Sequence, residues 1–345
     1  FLLDDPCAMK RALNRLSTVR NRFTNTSPSR QLYTKLKSKS IDIIGVPFSG
    51  GQPKGGVDKA PSIMRSDGKI FDHISQLGWT VNDLGDIQVP TKPEEPEAVV
   101  VDRVKNPHWV GAVNKMLSEK VAASAAKHHV PIIIGGDHSI AVGSIHGMTR
   151  QYPNLGVLWV DAHADINTSG TTPSGNLHGM PLSFLMGLTR EVPGFEWIDL
   201  KNPAIRLDQL VYIGLRDLQN EEKDFLRDQN IKSFDMHDVD KYGIGAVMGS
   251  AMKIFGDRPI HISFDIDALD PSEAPSTGTP VRGGLTFREG AFICEYVHRS
   301  GKLVSMELVE INPSLGSYEQ VNRTLSSGIS MIKSALGDAL THNRD

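Results

Sequence analysis

Thiols are scarce: the 345 residues include two cysteines, Cys7 and Cys294, so the chain can close at most one disulfide and cannot build a structural thiolate zinc site. A chain of this length buries a sizeable core without such staples, and the shortage of thiols points to a reducing compartment. Long apolar runs are also missing. The longest, Val130–Ile134 and Leu155–Val160, are strand-sized and far below the roughly 20 residues a membrane helix needs, which excludes a membrane-spanning helix, and no membrane partner is expected. Nucleotide-binding fingerprints are absent, because the glycines of Gly50–Gly56 match neither G-x-G-x-x-G nor G-x-x-x-x-G-K-[ST]. No serine nucleophile elbow occurs.

Acidic residues are missing from one stretch in particular. Met9–Ser40 has none, while residues 1–40 carry nine Lys or Arg against Asp4 and Asp5, so the −3 net charge divides into a basic arm and an acidic body. Leu13, Leu16, Val19 and Phe23 fall on one helical face among Lys10, Arg11, Arg15, Arg20 and Arg22, which reads as a mitochondrial targeting segment with a cytoplasmic location as the alternative. A disordered basic tail and an arm touching nucleic acid or an anionic surface are the other readings. Met9 could serve as initiator, with residues 1–8 a remnant upstream of it. The chain therefore divides into a basic segment, 1–40, and one folded domain, 41–345.

In that body, short β-branched runs alternate with longer helix-forming stretches, the pattern of parallel βαβ units. Strands are expected at Ile41–Val46, Val130–Ile134, Gly156–Val160, Leu210–Gly214, Pro259–Phe264 and Leu303–Leu308, with a seventh around Lys232–Phe234. Helices are expected at Asn114–His128 and Glu221–Asn230, and loops at Pro90–Pro96 and Asp270–Gly284. Several strands are apolar throughout, as befits strands covered on both faces.

Ligand sites in such sheets lie beyond the carboxyl ends of the strands, and here the residues just past three of the strands are polar in a repeated way. Val130–Ile134 runs into Gly135-Gly136-Asp137-His138, Gly156–Val160 into Asp161-Ala162-His163-Ala164-Asp165, and the strand ending at Phe264 into Asp265-Ile266-Asp267. In extended chain, alternate residues face one side, so Asp161, His163 and Asp165 can converge, as can Asp265 and Asp267. Four dehydrated carboxylates would repel one another unless cations neutralise them or protons are taken up. Six sulfur-free ligands are too many for one tetrahedral zinc and suit a pair of harder ions, above all Mn²⁺. Such a pair, about 3.5–4 Å apart, lowers the pKa of a bridging water towards neutrality and so favours hydrolysis. A lone Asp after a strand is more often a turn or helix cap, which is the reading given to Asp270.

The three segments Gly-Gly-Asp137-His138-Ser, Asp161-Ala-His163-Ala-Asp165 and Ser-Phe-Asp265-Ile-Asp267-Ala-Leu-Asp-Pro resemble the signatures of the ureohydrolases, the arginase–agmatinase family, and the likeness runs from about Ile43 to Gly337. The resemblance implies an α/β fold of three α/β/α layers around a mostly parallel eight-stranded sheet, two Mn²⁺ per subunit and a homotrimer. It implies that His138, Asp161, Asp165 and Asp265 hold one ion and Asp161, His163, Asp265 and Asp267 the other. Ile166-Asn167-Thr168 followed by Ser174-Gly175-Asn176-Leu177-His178-Gly179 resembles the arginase branch and not agmatinase. Asn167, Ser174 and Asn176 are short neutral groups suited to an α-carboxylate. Glu310 matches the family glutamate that pairs with the guanidinium, His178 the histidine that shuttles a proton, and Thr279 a pocket residue. The implied reaction is hydrolysis of L-arginine to L-ornithine and urea, with hydroxide held between the ions as nucleophile and Asp165 passing a proton to the departing amine.

Two positions depart from the family pattern. Gln219 stands in Arg216-Asp217-Leu218-Gln219 where an aspartate is expected to meet the substrate α-amino group, so affinity is reduced or the contact moves to Asp217 or Glu222. Arg282 replaces an apolar residue in the Pro280-Val281-x-Gly-Gly loop. The rival readings are another guanidino hydrolase such as an agmatinase, a zinc deacetylase on a related fold, and a metal-binding regulatory homologue that has lost catalysis.

Overall fold

The computed structural model describes residues 39–94 and 104–338. The basic segment up to residue 38, with Cys7 and the targeting reading, lies outside them, as do the end of the Pro90–Pro96 loop and residues 339–345. Eight strands among the described residues form one sheet: β1 Ser40–Gly45, β2 Thr80–Asp86, β3 Val130–Ile134, β4 Gly156–Val160, β5 Leu210–Leu215, β6 Lys232–Asp235, β7 Ile260–Asp265 and β8 Leu303–Val309. Their order is β2-β1-β3-β8-β7-β4-β5-β6 and every pairing is parallel. Seven strands match the expected runs to within one residue or so at each end. β2 has no apolar run because it is an edge strand paired only to β1, and no residue of Thr80–Asp86 is fully buried.

Helices cover both faces, as a parallel sheet requires. They are α1 Ala60–Ser66, α2 Ile70–Gln76, α3 Pro107–Ala126, α4 Ala141–Thr149, α5 Pro181–Leu185, α6 Asn220–Asp228, α7 Met236–Tyr242, α8 Ile244–Phe255, α9 Phe287–Arg299 and α10 Tyr318–Ala335. Strand alternation splits the core in two. Ile132, Leu158, Ile262 and Met306 pack under α1, α2 and α7–α10. Ile133, Val157, Trp159 and Tyr212 pack under α3–α6. Burying each such side chain contributes about 1.5–3 kcal/mol. Cys294 is a buried core residue of α9.

The strand order reverses around β3, β8, β7 and β4, and these four central strands deliver the polar segments to one rim. Among them, Asp161 continues β4 by donating its backbone N–H to Ile213, and Asp265 closes β7.

Candidate metal centre

Beyond the strand ends the chain is not extended, so the convergence of the carboxylates has a different cause from strand alternation. Asp265 caps a 3-10 turn, Ile266–Ala268, in which its Oδ1 accepts the Asp267 N–H at 2.8 Å. Asp165 sits in the left-handed region at φ 48° and Glu310 at φ 63°, conformations that cost non-glycine residues energy and cluster at functional sites. Tyr212 Oη, donating to the Ala164 carbonyl at 2.7 Å, and Leu182 N–H, donating to the Asp165 carbonyl at 3.2 Å, hold that bend.

The expected ligands meet. His138 Nδ1 lies 3.1 Å from Asp161 Oδ2, 3.2 Å from Asp165 Oδ2 and 3.1 Å from Asp265 Oδ2. His163 Nδ1 lies 3.4 Å from Asp161 Oδ1 and 3.2 Å from Asp267 Oδ2. Two ligand groups result, His138–Asp161–Asp265 and Asp161–His163–Asp267, and Asp161 belongs to both through its two oxygens. Asp265 falls in the first group alone.

An ion fits these groups on two grounds. His138 Nδ1 is buried without a hydrogen bond although three carboxylate oxygens surround it, which costs free energy unless something else satisfies the lone pair. The separations of 3.1–3.2 Å also match neighbouring corners of an octahedron, which lie roughly 3 Å apart when bonds to the ion are about 2.1 Å.

Without ions the charges are in conflict. Burial and the neighbouring Asp161 push the Asp165 carboxyl up to about 6. Burial, Asp267 and Asp161 push Asp265 well above the usual carboxylate range. Burial opposes ionisation of Asp161 too, but the adjacent His138 and His163 hold it low. Both histidines are raised despite burial, His138 by Asp161, Asp165 and Asp265, and His163 by Asp267 and Asp161.

Glu310 is 2% exposed. Its Oε1 accepts the His138 backbone N–H at 3.0 Å and lies 3.1 Å from His178 Nδ1, while Oε2 is buried with no partner among the described residues. Gly278 leaves room beside that oxygen, since a Cβ there would sit 3.7 Å from it. Burial opposes ionisation of Glu310, and the His178 hydrogen bond and charge outweigh it and lower its pKa. Burial likewise lowers His178, but Glu310, Asp165 and Asp137 push it up to about 9.

A cleft of about 200 Å³ opens on this rim, lined by His163, Asp165, Asn167, Ser174, His178, Asp217, Gln219, Glu222, Asp265 and Thr279 among others. Thr279 Oγ1 donates to Asp267 Oδ2 at 2.8 Å. Asn167 Nδ2 and the Gln219 N–H both donate to the Glu222 carboxylate at 3.0 Å, whose pKa burial and Asp165 raise to about 7. Asp217, with its side chain 65% exposed, lies 3.7 Å from His163 Nε2. One expected contact is not assembled: Asn176 does not line the cleft, and its Oδ1 accepts from Lys105 Nζ at 3.2 Å. Arg282 is exposed on its loop, outside the cleft lining.

Several supporting residues lie outside the motifs. Trp159 stacks on His138, with ring centroids 4.1 Å apart and planes 10° from parallel, and its Nε1 donates to Asp161 Oδ2 at 2.9 Å. Asp137 accepts the Gly51 N–H at 2.9 Å, and the Gly51 carbonyl in turn accepts the His178 N–H, so the Gly50–Gly56 loop braces the site.

Comparison with known proteins agrees with this geometry. A family profile described as the Arginase family matches residues 39–337. The chain is 47% identical to an arginase of Glaciozyma antarctica over 313 residues, which is 88% of this chain and 89% of that protein. It is 44% identical to human arginase-1 over 315 residues, 89% and 96% of the two chains. Among solved structures, the arginase of Bacillus caldovelox superposes with a TM-score of 0.81 at 39% identity, covering 88% of this chain and 99% of its own. The Entamoeba histolytica arginase in complex with L-ornithine gives 0.78 at 32% identity, covering 87% and 99%.

Proposed function

The chain belongs to the arginase family, and from that premise we propose that it hydrolyses L-arginine to L-ornithine and urea with two Mn²⁺ ions per subunit. His138, Asp161, Asp165 and Asp265 would hold one ion and Asp161, His163, Asp265 and Asp267 the other. An oxygen-rich, sulfur-free set with two imidazoles favours manganese. When bound, the ion pair supplies water acidified enough to act as a nucleophile at neutral pH.

The chain's own groups do the rest. Glu310 Oε2, a dehydrated acceptor with no partner, is the group best suited to a guanidinium N–H. Asp165, on the rim between cluster and cleft, is placed to take up the proton released when water adds to the guanidinium carbon and to pass it to the departing amine. His178, tied to Glu310 at 3.1 Å and lining the cleft, exchanges protons with solvent. Asn167 and Ser174 offer neutral contacts to the α-carboxylate, and Asn176 joins them once released from Lys105. Asp217 and Glu222 receive the α-amino group in place of Gln219. The reading extends to a homotrimer, on the resemblance, and to a mitochondrial location, on the basic residues of 1–40.

The observation that carries the proposal is Asp161 shared between two ligand groups while His138 Nδ1 is left unsatisfied. Elemental analysis tests it directly. Manganese-loaded protein should retain two ions per chain and the Asp161→Ala variant fewer than one, because Asp161 serves both groups; a single retained ion in wild type, or two in the variant, would contradict the proposal.

A further inference from the structure

Beneath the site lies a polar chain that the reaction does not use. On β7, His261, Ser263 and Asp265 alternate on one face, and Ser263 pairs in register with Glu307 of β8. His261, Ser263, Ser305 and Glu307 are all fully buried. Ser263 Oγ lies 2.8 Å from His138 Nε2 and donates to Glu307 Oε1 at 2.8 Å. Glu307 Oε1 also faces His261 Nε2 at 3.3 Å, His261 Nδ1 faces Ser305 Oγ at 2.7 Å, and Ser144 Oγ donates to Glu307 Oε2. None of these four buried residues lines the cleft.

A carboxylate can only accept hydrogen bonds, and that fixes the direction of every bond around Glu307. Burial opposes the charge on Glu307, but the hydrogen bond and charge of His261 hold its pKa low, so the group stays ionised. Ser263 must then spend its single proton on Glu307. Its oxygen is left to accept, and the donor facing it is His138 Nε2–H. With the proton on Nε2, Nδ1 is the nitrogen left to offer a lone pair to an ion among the three carboxylates.

We propose that Glu307 is a positioning residue that, through Ser263, locks His138 in the Nε2–H tautomer and so makes Nδ1 the ligand atom. The proposal rests on the reading of His138 as a ligand of the first ion. Partners of this kind, behind a ligating histidine, are worth about 10–100-fold in metal affinity.

Two variants separate hydrogen-bond direction from charge. Glu307→Met keeps the volume but removes the acceptor, freeing the Ser263 proton to turn towards His138 Nε2. Glu307→Gln removes the charge but keeps an amide oxygen for Ser263; its NH₂ can face Ser144, whose hydroxyl can turn to the Ala141 carbonyl 3.3 Å away. Titration of the metal-free proteins with Mn²⁺ should show Glu307→Met binding the first ion about 10–100-fold more weakly with the second unchanged. Glu307→Gln should restore wild-type binding. Glu307→Met binding like wild type, Glu307→Gln as weak as Glu307→Met, or both ions weakened alike would each overturn the proposal. Wild-type protein labelled with ¹⁵N-histidine and loaded with Zn²⁺ gives a readout that needs no variant to bind metal: the His138 resonance, assigned by its loss in His138→Asn, should show a proton on Nε2 and none on Nδ1. The reverse pattern overturns the inference, and a wild type that binds no metal overturns the underlying reading with it.

Discussion

At the scale of single residues, Gln219 is the departure from the expected family pattern that chemistry can read. It lines the cleft, and its backbone N–H is committed to Glu222 while its side chain brings no charge. Replacing it with Asp should add a charged hydrogen bond to the substrate α-amino group, worth about 1.5–3 kcal/mol. Steady-state kinetics of Gln219→Asp should show the KM for L-arginine falling about tenfold or more with kcat little changed, as a third carboxylate joins Asp217 and Glu222 on one wall of the cleft, whereas an unchanged KM would place the α-amino group away from that wall. The six candidate ligands are legible in the sequence because each is an ionisable residue at or closely following the end of an apolar strand. Trp159, Ser263 and Glu307 are not, because a tryptophan in a buried strand looks like core and a serine or glutamate inside a strand looks like noise. Their signal takes another form: His261-x-Ser263-x-Asp265 and Ser305-x-Glu307 place polar groups on one face of strands that have no solvent to meet. Asn176 reads as a pocket residue from its neighbours in sequence, yet a lysine from another segment, Lys105, claims its amide.

At the scale of elements, the sheet is largely readable because most of its strands are buried and announce themselves as apolar runs. Thr80–Asp86 escapes for the opposite reason, since an edge strand half open to solvent needs no such run. The turns after the strands are also beyond reach: alternation suggests how Asp265 and Asp267 meet, but a 3-10 turn and the positive φ of Asp165 bring the groups together. Helix starts follow local rules more closely. α9 opens with a reciprocal pair in which Thr286 Oγ1 accepts the Glu289 N–H at 3.2 Å and Glu289 Oε2 accepts the Thr286 N–H at 2.8 Å. Thr286→Ala should therefore cost about 1 kcal/mol in denaturant unfolding without altering urea release. A loss of activity at unchanged stability would show that this cap, remote in sequence from the ligands, does more than hold α9.

At the scale of the whole molecule, the acidic centre couples stability to metal and pH. In metal-free protein Asp165 titrates near 6 instead of its ordinary 3.8, and His178 near 9 instead of 6.5. Both folded values lie above the unfolded ones, so the native state binds more protons and loses stability as pH rises. The Asp165 contribution falls away between about pH 4 and 6 and the His178 contribution between about 6.5 and 9. Calorimetry of chelator-stripped protein should show Tm declining from pH 6 to pH 9, while the manganese-loaded protein should hold or gain, because ions replace protons and bind better as ligands deprotonate. Parallel pH profiles would mean that the carboxylates are not the seat of metal binding. The most direct test of the whole account is urea release by manganese-loaded protein given L-arginine or agmatine. The account predicts urea from L-arginine, little from agmatine, and none from either with Asp161→Ala; urea from agmatine in preference to arginine, or from neither substrate with both ions bound, would contradict it.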